Sequence, residues 1–149
     1  MKHLETEIII NAPAHRVWQV LMDFKAYPDW NPFIISIKGL RQKGKNLQVM
    51  LRTKKGKEMS FEPVVLVSNQ NDEFRWRGKL GIRGIFDGEH YFALEALESA
   101  QCRFIHGEFF SGILVGLMGN VLKDTLQSFE EMNKALKNRC EDHSILDTQ

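Results

Sequence analysis

The chain has 149 residues, a formal net charge of +1 at pH 7, 43% hydrophobic residues and 26% charged residues. This composition is typical of one globular domain, and the charge by itself indicates neither a nucleic-acid nor a membrane partner. Cys102 and Cys140 lack the spacing of a zinc site or a disulfide scaffold. The N-terminus has no signal-peptide layout, and no run approaches the ~20 apolar residues of a membrane span. We therefore expect a cytoplasmic protein without integral membrane association.

The first part of the chain predicts one strand and two helices. The opening strand is indicated by the alternating residues Leu4, Thr6, Ile8 and Ile10. Asn11 is a candidate N-cap, and Pro13 suits the first turn of a helix at about 13–22. A second short helix is expected near 23–27. The two prolines within residues 27–33 then predict an irregular turn anchored by aromatic side chains.

From Phe33 onward the hydrophobic pattern has a period of two and predicts six further strands. One of them is expected to run through residues 59–67, with Pro63 at a bulge or a sheet edge. Short polar connections join the strands, which predicts antiparallel hairpins. The alternating residues are Ile35 and Ile37; Leu47, Val49 and Leu51; Met59, Phe61, Val65 and Val67; Phe74, Trp76, Gly78 and Leu80; Phe86, Gly88, His90, Phe92 and Leu94; and Cys102, Phe104, His106, Glu108 and Phe110.

Residues 111–138 predict one long amphipathic helix. Its apolar face repeats at spacings of three and four through Leu114, Met118, Val121, Thr125, Phe129, Met132 and Leu136. At about 1.5 Å per residue the helix would be roughly 40 Å long, so it must lie along a sheet. We predict an α+β fold in which a curved seven-stranded antiparallel sheet wraps around this C-terminal helix, with two short helices after the first strand. Residues 1–140 would form a single domain and residues 141–149 a flexible tail.

Four segments carry a family resemblance: INAPAHRVWQVLMDFKAYPDWNPF, WRGKLGIRGIFDGEHYFALE, RFIHGEFFSG and FEEMNKALK. In this order they cover nearly the whole chain, and together they resemble the START-like, helix-grip (SRPBCC) superfamily. Within it they resemble the bacterial polyketide cyclase/dehydrase and lipid-transport-type proteins. The resemblance implies a deep cavity between the sheet and the long helix, and binding of hydrophobic small molecules. Some members are cyclases, dehydratases or ligand-sequestering resistance proteins.

Three polar residues, His90, His106 and Glu108, fall on strand faces that are otherwise apolar and look toward the long helix. If the last hairpin turns near Ser99, His90 faces Glu108 and Phe92 faces His106. If the preceding turn centres on Ile82 and Arg83, Trp76 lies beside His90. Such a pair could orient a ligand carbonyl or hydroxyl, or act as acid and base in a cyclisation or dehydration. Alternatively, His90 and Glu108 satisfy each other in a partly wet core. Two histidines and a carboxylate could also bind zinc or iron, but the spacing does not demand it, and we expect no metal.

The first hypothesis is a binding or carrier protein for a lipid, polyketide or aromatic compound, without a cofactor. Its ligand-binding candidates are Phe61, Trp76, Phe86, His90, Phe92, Phe104, His106, Glu108, Phe110, Met118, Leu122 and Phe129. The alternative is a cyclase or dehydratase with His90 and Glu108 as catalytic base and acid. The sequence contains no Ser/His/Asp nucleophile arrangement, phosphate loop or dinucleotide fingerprint.

A third hypothesis is an interaction module that works through the basic stretch at residues 41–83, which holds eleven positive and four negative residues. An outward basic sheet could contact anionic lipid headgroups or nucleic acid. Solvated strands and loops explain the same residues without a partner. Because no nucleic-acid motif accompanies the stretch, we expect no nucleic-acid partner. We further expect a monomer or weak homodimer.

Overall fold

The computed structural model describes residues 1–79, 87–98, 100–113, 115–117 and 119–146. The strands are β1 (Lys2–Ile10), β2 (Ile34–Gly39), β3 (Leu47–Arg52), β4 (Glu58–Phe61), β5 (Val64–Asn69), β6 (Glu73–Lys79), β7 (Asp87–Leu97) and β8 (Gln101–Ser111). The α-helices are α1 (Ala14–Met22), α2 (Tyr27–Trp30), α3 (Gly119–Glu141) and α4 (His143–Leu146). Short 3₁₀ turns at Phe24–Ala26 and Val115–Leu117 precede α2 and α3.

The strands of the described residues form two antiparallel sheets, in the orders β1-β8-β7-β6-β5 and β2-β3-β4. The α+β class and the C-terminal helix on an antiparallel sheet are confirmed, but the prediction of seven strands in one sheet is wrong, since the described part has eight. The strand predicted at 59–67 divides at Pro63 into β4 and β5. Proline has no N–H for the ladder. Its carbonyl instead accepts a hydrogen bond from the Leu47 N–H at 2.8 Å, which holds the two sheets together at the break.

Two predictions about the first helices are wrong. Pro13, not Asn11, occupies the N-cap position of α1, with an extended backbone (φ −70°, ψ 156°). The Asn11 N–H instead donates to Glu141 at the end of α3. Residues 27–30, expected to be irregular, form α2 because Pro28 lies in its first turn, where a missing N–H costs little.

The long helix begins at Gly119 rather than near residue 111. Its 23 residues span about 35 Å. The predicted apolar face is confirmed in the C-terminal half, where Phe129, Met132 and Leu136 are buried. It is wrong at Val121, which is 57% exposed. The buried half is the one joined to β1, through hydrogen bonds from Asn133 to Thr6 and from Lys137 to the Ile9 carbonyl.

The core lies between the inward face of the five-stranded sheet and the helices α1 and α3. Aromatic side chains fill its centre, and Phe74, Phe92, Phe104 and Phe129 are all fully buried. The extent of the single domain and the flexibility of residues 141–149 remain predictions.

Candidate functional site

The strand register brings the predicted polar residues together. His90 on β7 lies opposite Trp76 on β6 and opposite Glu108 on β8. His106 lies opposite Phe92. The predicted pairings of His90 and His106 are therefore confirmed, and both histidines are buried.

A continuous chain of hydrogen bonds runs from the sheet to α3. Glu108 Oε1 lies 3.1 Å from His90 Nδ1, and His90 Nε2 lies 2.9 Å from His106 Nε2. His106 Nδ1 lies 2.9 Å from Asn133 Oδ1, and Asn133 Nδ2 donates to Thr6 Oγ1 at 2.8 Å. The Thr6 hydroxyl donates to the backbone carbonyl of His106 at 3.0 Å. We call these residues the polar row: Glu108, His90, His106, Asn133 and Thr6.

The far end of the polar row fixes the position of every proton in it. A carbonyl only accepts, so Thr6 donates to the His106 carbonyl and its oxygen is left to accept from the Asn133 amide. The amide oxygen therefore faces His106, which must carry its proton on Nδ1. A neutral His106 then accepts at Nε2, and His90 must donate from its own Nε2. His90 Nδ1 is left as an acceptor, so the proton between it and Glu108 belongs to a neutral carboxyl group.

Burial favours the same uncharged state. It lowers the pKa of His90 from 6.5 to about 3. It also holds the pKa of His106 well below its usual range, and the neighbouring His90 lowers it further. Burial raises the pKa of Glu108 from 4.5 to about 8. Near neutral pH a protonated Glu108 thus donates to a neutral His90, since charged groups are costly in an apolar interior.

Aromatic rings hold both imidazoles in place. Trp76 stacks on His90, with centroids 4.8 Å apart and planes 9° apart. Phe129 stacks on His106, with ring centroids 4.0 Å apart and planes 15° apart. Phe33 packs against both histidines, and its ring centroid lies 5.5 Å from that of Phe129. The histidine rings are thereby closed off from water on these sides.

The polar row is accessible at its Glu108 end. The Glu108 side chain is 17% exposed, against 5% for His90. Its Oε2 lies over Gly88, where an added Cβ would come within 2.2 Å. Among the described residues, no hydrogen bond reaches this oxygen. Apolar residues lie next to Glu108 on the same face of the sheet, since Leu4 is paired with it on β1 and Phe110 lies two residues along β8. Leu4 and Phe110 belong to one small apolar cluster.

A family model described as "Polyketide cyclase / dehydrase and lipid transport" matches residues 1–141. The chain belongs to this family. A comparison with curated proteins finds no match.

Solved structures share the fold at low sequence identity. A START superfamily protein from Mycobacterium smegmatis has a TM-score of 0.77 and 21% identity, covering 95% of this chain and 98% of that one. The Zhui aromatase/cyclase from Streptomyces sp. R1128 has a TM-score of 0.76 and 16% identity, over 96% and 95% of the two chains. A Thermus thermophilus protein, TTHA0849, has a TM-score of 0.75 and 17% identity, over 96% and 99%. At these identities the likeness shows the fold alone.

The structure of this family member gathers most of the predicted ligand-binding residues around the polar row. Trp76, Phe92, Phe104 and Phe129 are buried and linked to the histidines by ring contacts. Phe110 is buried and Leu122 half-buried in the small cluster near Glu108, whereas Phe61 is half-buried against Gly78. Phe86 and Met118 lie outside the described residues.

Sequence reasoning missed Thr6, Asn133 and Phe33 as parts of the site. Thr6 alternates with Leu4 and Ile8 along β1, so the pattern predicts that its side chain points inward. Asn133 follows Phe129 by one helical turn, which places a polar residue on the predicted apolar face. Both signals indicate a buried polar partner rather than a particular one.

Two other surface features of the described part lie away from the polar row. An open groove of about 1130 Å³ borders the β5–β6 turn, and its lining includes Trp18, Phe24, Lys38 and Arg41. It contains none of the predicted ligand-binding residues. On β6, Arg75 pairs with Glu73 and Glu89, and this pairing offsets part of the positive charge of the basic stretch.

Neither a metal cluster nor a membrane-spanning helix is found in the residues that the structure describes. No three His, Cys, Asp or Glu side chains there are placed to hold a metal ion together. No described helix combines the length and the hydropathy needed to cross a bilayer.

Proposed function

We propose that this protein binds or carries a hydrophobic small molecule, such as a lipid, a polyketide or an aromatic compound, at the Glu108 end of the space between its five-stranded sheet and α3. Membership of the polyketide cyclase/dehydrase and lipid transport family supports this function. The observation that carries it is the access to the polar row at one end, where Glu108 is partly exposed among apolar side chains. Such a site would hold an apolar body and recognise one polar group on it.

The arrangement of the polar row argues against a purely structural role. Burying polar groups is costly unless all are paired, and an apolar core of the same size is often at least as stable. Here each side-chain nitrogen and oxygen of the buried members has a hydrogen-bond partner, whereas Glu108 Oε2 at the accessible end has none among the described residues. A free acceptor beside apolar side chains is what a ligand with one polar group requires.

The test is native mass spectrometry on freshly purified protein, followed by denaturing extraction and identification of any released molecule. Leu122→Lys would place a charge on a half-buried position of the cluster near Glu108, so ligand retention should be lost. Val121→Lys is the matched control, because Val121 lies next to Leu122 on the same helix and is 57% exposed. Equal retention by both folded variants would contradict a binding site at this position.

The second candidate function is a cyclase or dehydratase reaction with His90 and Glu108 as base and acid. The specific observation in its favour is the hydrogen-bond order of the polar row. A protonated Glu108 would act as the acid and a neutral His90, 3.1 Å from it, as the base, so that the pair could give one proton to a substrate and take one up. In this case His90→Ala should abolish turnover and retain binding. Turnover by the variant at the wild-type rate would exclude this role.

We also infer a cytoplasmic location and a monomer or weak homodimer. The free thiols of Cys102 and Cys140, both buried, support a reducing compartment. Sedimentation of the purified protein at several concentrations would test the oligomeric state. A stable dimer at micromolar concentration would contradict it.

A further inference from the structure

We propose that the site selects apolar ligands that carry a hydroxyl group, which donates a hydrogen bond to Glu108 Oε2, and that Thr6 and Asn133 are positioning residues for this selection. This inference rests on the proposed function and specifies the polar group of the ligand. It concerns the chemistry of one oxygen atom at the accessible end of the polar row.

The Glu108 proton is already used in the hydrogen bond to His90. The order of hydrogen bonds from the His106 carbonyl back through Thr6 and Asn133 leaves His90 Nδ1 as an acceptor, 3.1 Å from Glu108 Oε1. The carboxyl proton therefore sits on Oε1. The second oxygen, Oε2, is left with lone pairs only and can accept but not donate.

The second step is that the surroundings leave this acceptor to a ligand. Oε2 lies over Gly88, whose missing side chain makes the room that the oxygen occupies. Leu4 and Phe110 flank Glu108 on the neighbouring strand and along β8, and they offer apolar side chains. The described residues supply no donor to Oε2.

The third step is chemical selection among ligands of similar shape. A phenol or alcohol satisfies Oε2 by donating its hydroxyl proton. An ether or ketone presents only lone pairs to Oε2, and a carboxylate adds a charge that must be dehydrated beside it. Sites that need a hydrogen-bond donor reject analogues that lack one, because a buried polar group is then left unpaired.

Thr6 and Asn133 maintain this order of protons in the polar row. If the amide of Asn133 were turned around, His106 would carry its proton on Nε2 and His90 on Nδ1. A neutral Glu108 would then hold its proton on Oε2 and present a donor to the ligand. The Thr6 hydroxyl prevents this by holding the Asn133 amide in one orientation.

The experiment measures binding of 2-naphthol, 2-methoxynaphthalene and 2-naphthoate by titration calorimetry at pH 6.5. One added net hydrogen bond predicts that wild-type protein binds 2-naphthol about 3- to 10-fold more tightly than 2-methoxynaphthalene. Glu108→Gln should keep this preference, because its amide group donates to His90 and leaves its oxygen as the acceptor. Glu108→Leu should lose the preference but still bind 2-methoxynaphthalene.

A matched pair tests the positioning role. Thr6→Ser keeps the hydroxyl and should keep both the naphthol preference and the Nδ1–H form of His106 in ¹⁵N spectra. Thr6→Val has nearly the same shape without the hydroxyl, and it should reduce the preference and mix the tautomers of His106. A Thr6→Val protein with unchanged tautomers and preference would overturn the positioning role.

The outcomes separate this inference from the proposed function. Equal binding of 2-naphthol and 2-methoxynaphthalene by wild-type protein, or tighter binding of 2-naphthoate, would overturn the hydroxyl selection while leaving an apolar binding site in place. Absence of binding by all three probes would contradict the proposed function for aromatic ligands, and the inference with it.

Discussion

The ring nitrogens His90 Nε2 and His106 Nε2 face each other at 2.9 Å. Two lone pairs cannot share this contact, and neither can two N–H groups, so one and only one of the two nitrogens carries a proton. The remaining hydrogen bonds of the polar row assign it to His90. Because the order runs on to Glu108, the ionisation of that carboxyl group is coupled to residues on β1 and α3.

We predict that Glu108 makes the protein less stable as the pH rises from 4.5 toward 8. Its pKa is raised to about 8 from an ordinary value of 4.5, so between these limits the folded state holds a proton that the unfolded state has lost. The free energy of unfolding must therefore fall with rising pH across this window. Urea unfolding of Glu108→Gln, which cannot ionise, should lack this loss and should exceed the wild-type stability at pH 8.5.

The histidines give the opposite slope at lower pH. The pKa of His90 is lowered to about 3 from 6.5, so in this window the unfolded state binds the extra proton and stability rises with pH. His106 contributes in the same direction. Glu108→Gln should keep this acid-side slope. Identical pH profiles for wild type and variant between pH 6.5 and 8.5 would show that Glu108 is not protonated in the folded protein.

We predict that Asn133→Leu lowers the free energy of unfolding by about 1–3 kcal/mol, since it removes the Asn133 Oδ1 acceptor from the buried His106 Nδ1–H. Ser128→Ala is the control on the same helix, because the Ser128 hydroxyl donates only to the Asp124 carbonyl within that helix. Ser128→Ala should change stability much less. Equal losses in the two variants, measured by urea unfolding, would argue against a stabilising role of the polar row.

We predict that Gly88→Ala releases Glu108 from His90. The added Cβ would meet Glu108 Oε2 at 2.2 Å, and the carboxyl group can swing away because it ends a flexible side chain. The stability loss between pH 6.5 and 8 should then shrink, since a displaced Glu108 regains contact with water. Gly116→Ala is the matched control, as nothing lies within 4 Å of its added Cβ. A variant with the full wild-type slope would contradict this steric relationship.

We predict that Gly107→Ala destabilises the protein through contacts on the outward face of the sheet. Gly107 faces outward, where an added Cβ would lie 2.3 Å from Tyr91 Oη and 2.8 Å from the Leu4 carbonyl oxygen. Tyr91 donates to Glu5 and accepts from His3 there, so its displacement would break contacts that hold β1 to the sheet. Thermal unfolding should show a lower midpoint. A wild-type midpoint would contradict the contact.

The pattern of the sequence predicts the elements that depend on local periodicity. The alternation in β7 and β8 places His90 and Glu108 on one face of the sheet. The position of the hairpin turn then predicts that they lie opposite each other, as they do. The division of the strand at Pro63 was less accessible, because proline is compatible with either a bulge or a break. The hydrogen bond from the Leu47 N–H to the Pro63 carbonyl favours the break. This tertiary contact cannot be read from the sequence of the strand itself.

The polar row was only half predictable for the same reason. His90, His106 and Glu108 lie on adjacent strands, so the sheet register brings them together. Asn133 lies on α3 and meets His106 only through the packing of a helix against the sheet, at a distance along the chain of 27 residues. Sequence patterns give the face of that helix but not which of its residues lies over which strand residue.

The measurement that tests the polar row most directly is the ¹⁵N spectrum of the imidazole rings, assigned with His90→Gln and His106→Gln variants. We predict that His90 is in the Nε2–H form and His106 in the Nδ1–H form, and that both stay neutral between pH 5 and 7.5, in keeping with a His90 pKa of about 3. An imidazolium signal from either residue at pH 7, or the reverse tautomers, would contradict the proton order on which the proposed ligand selection depends.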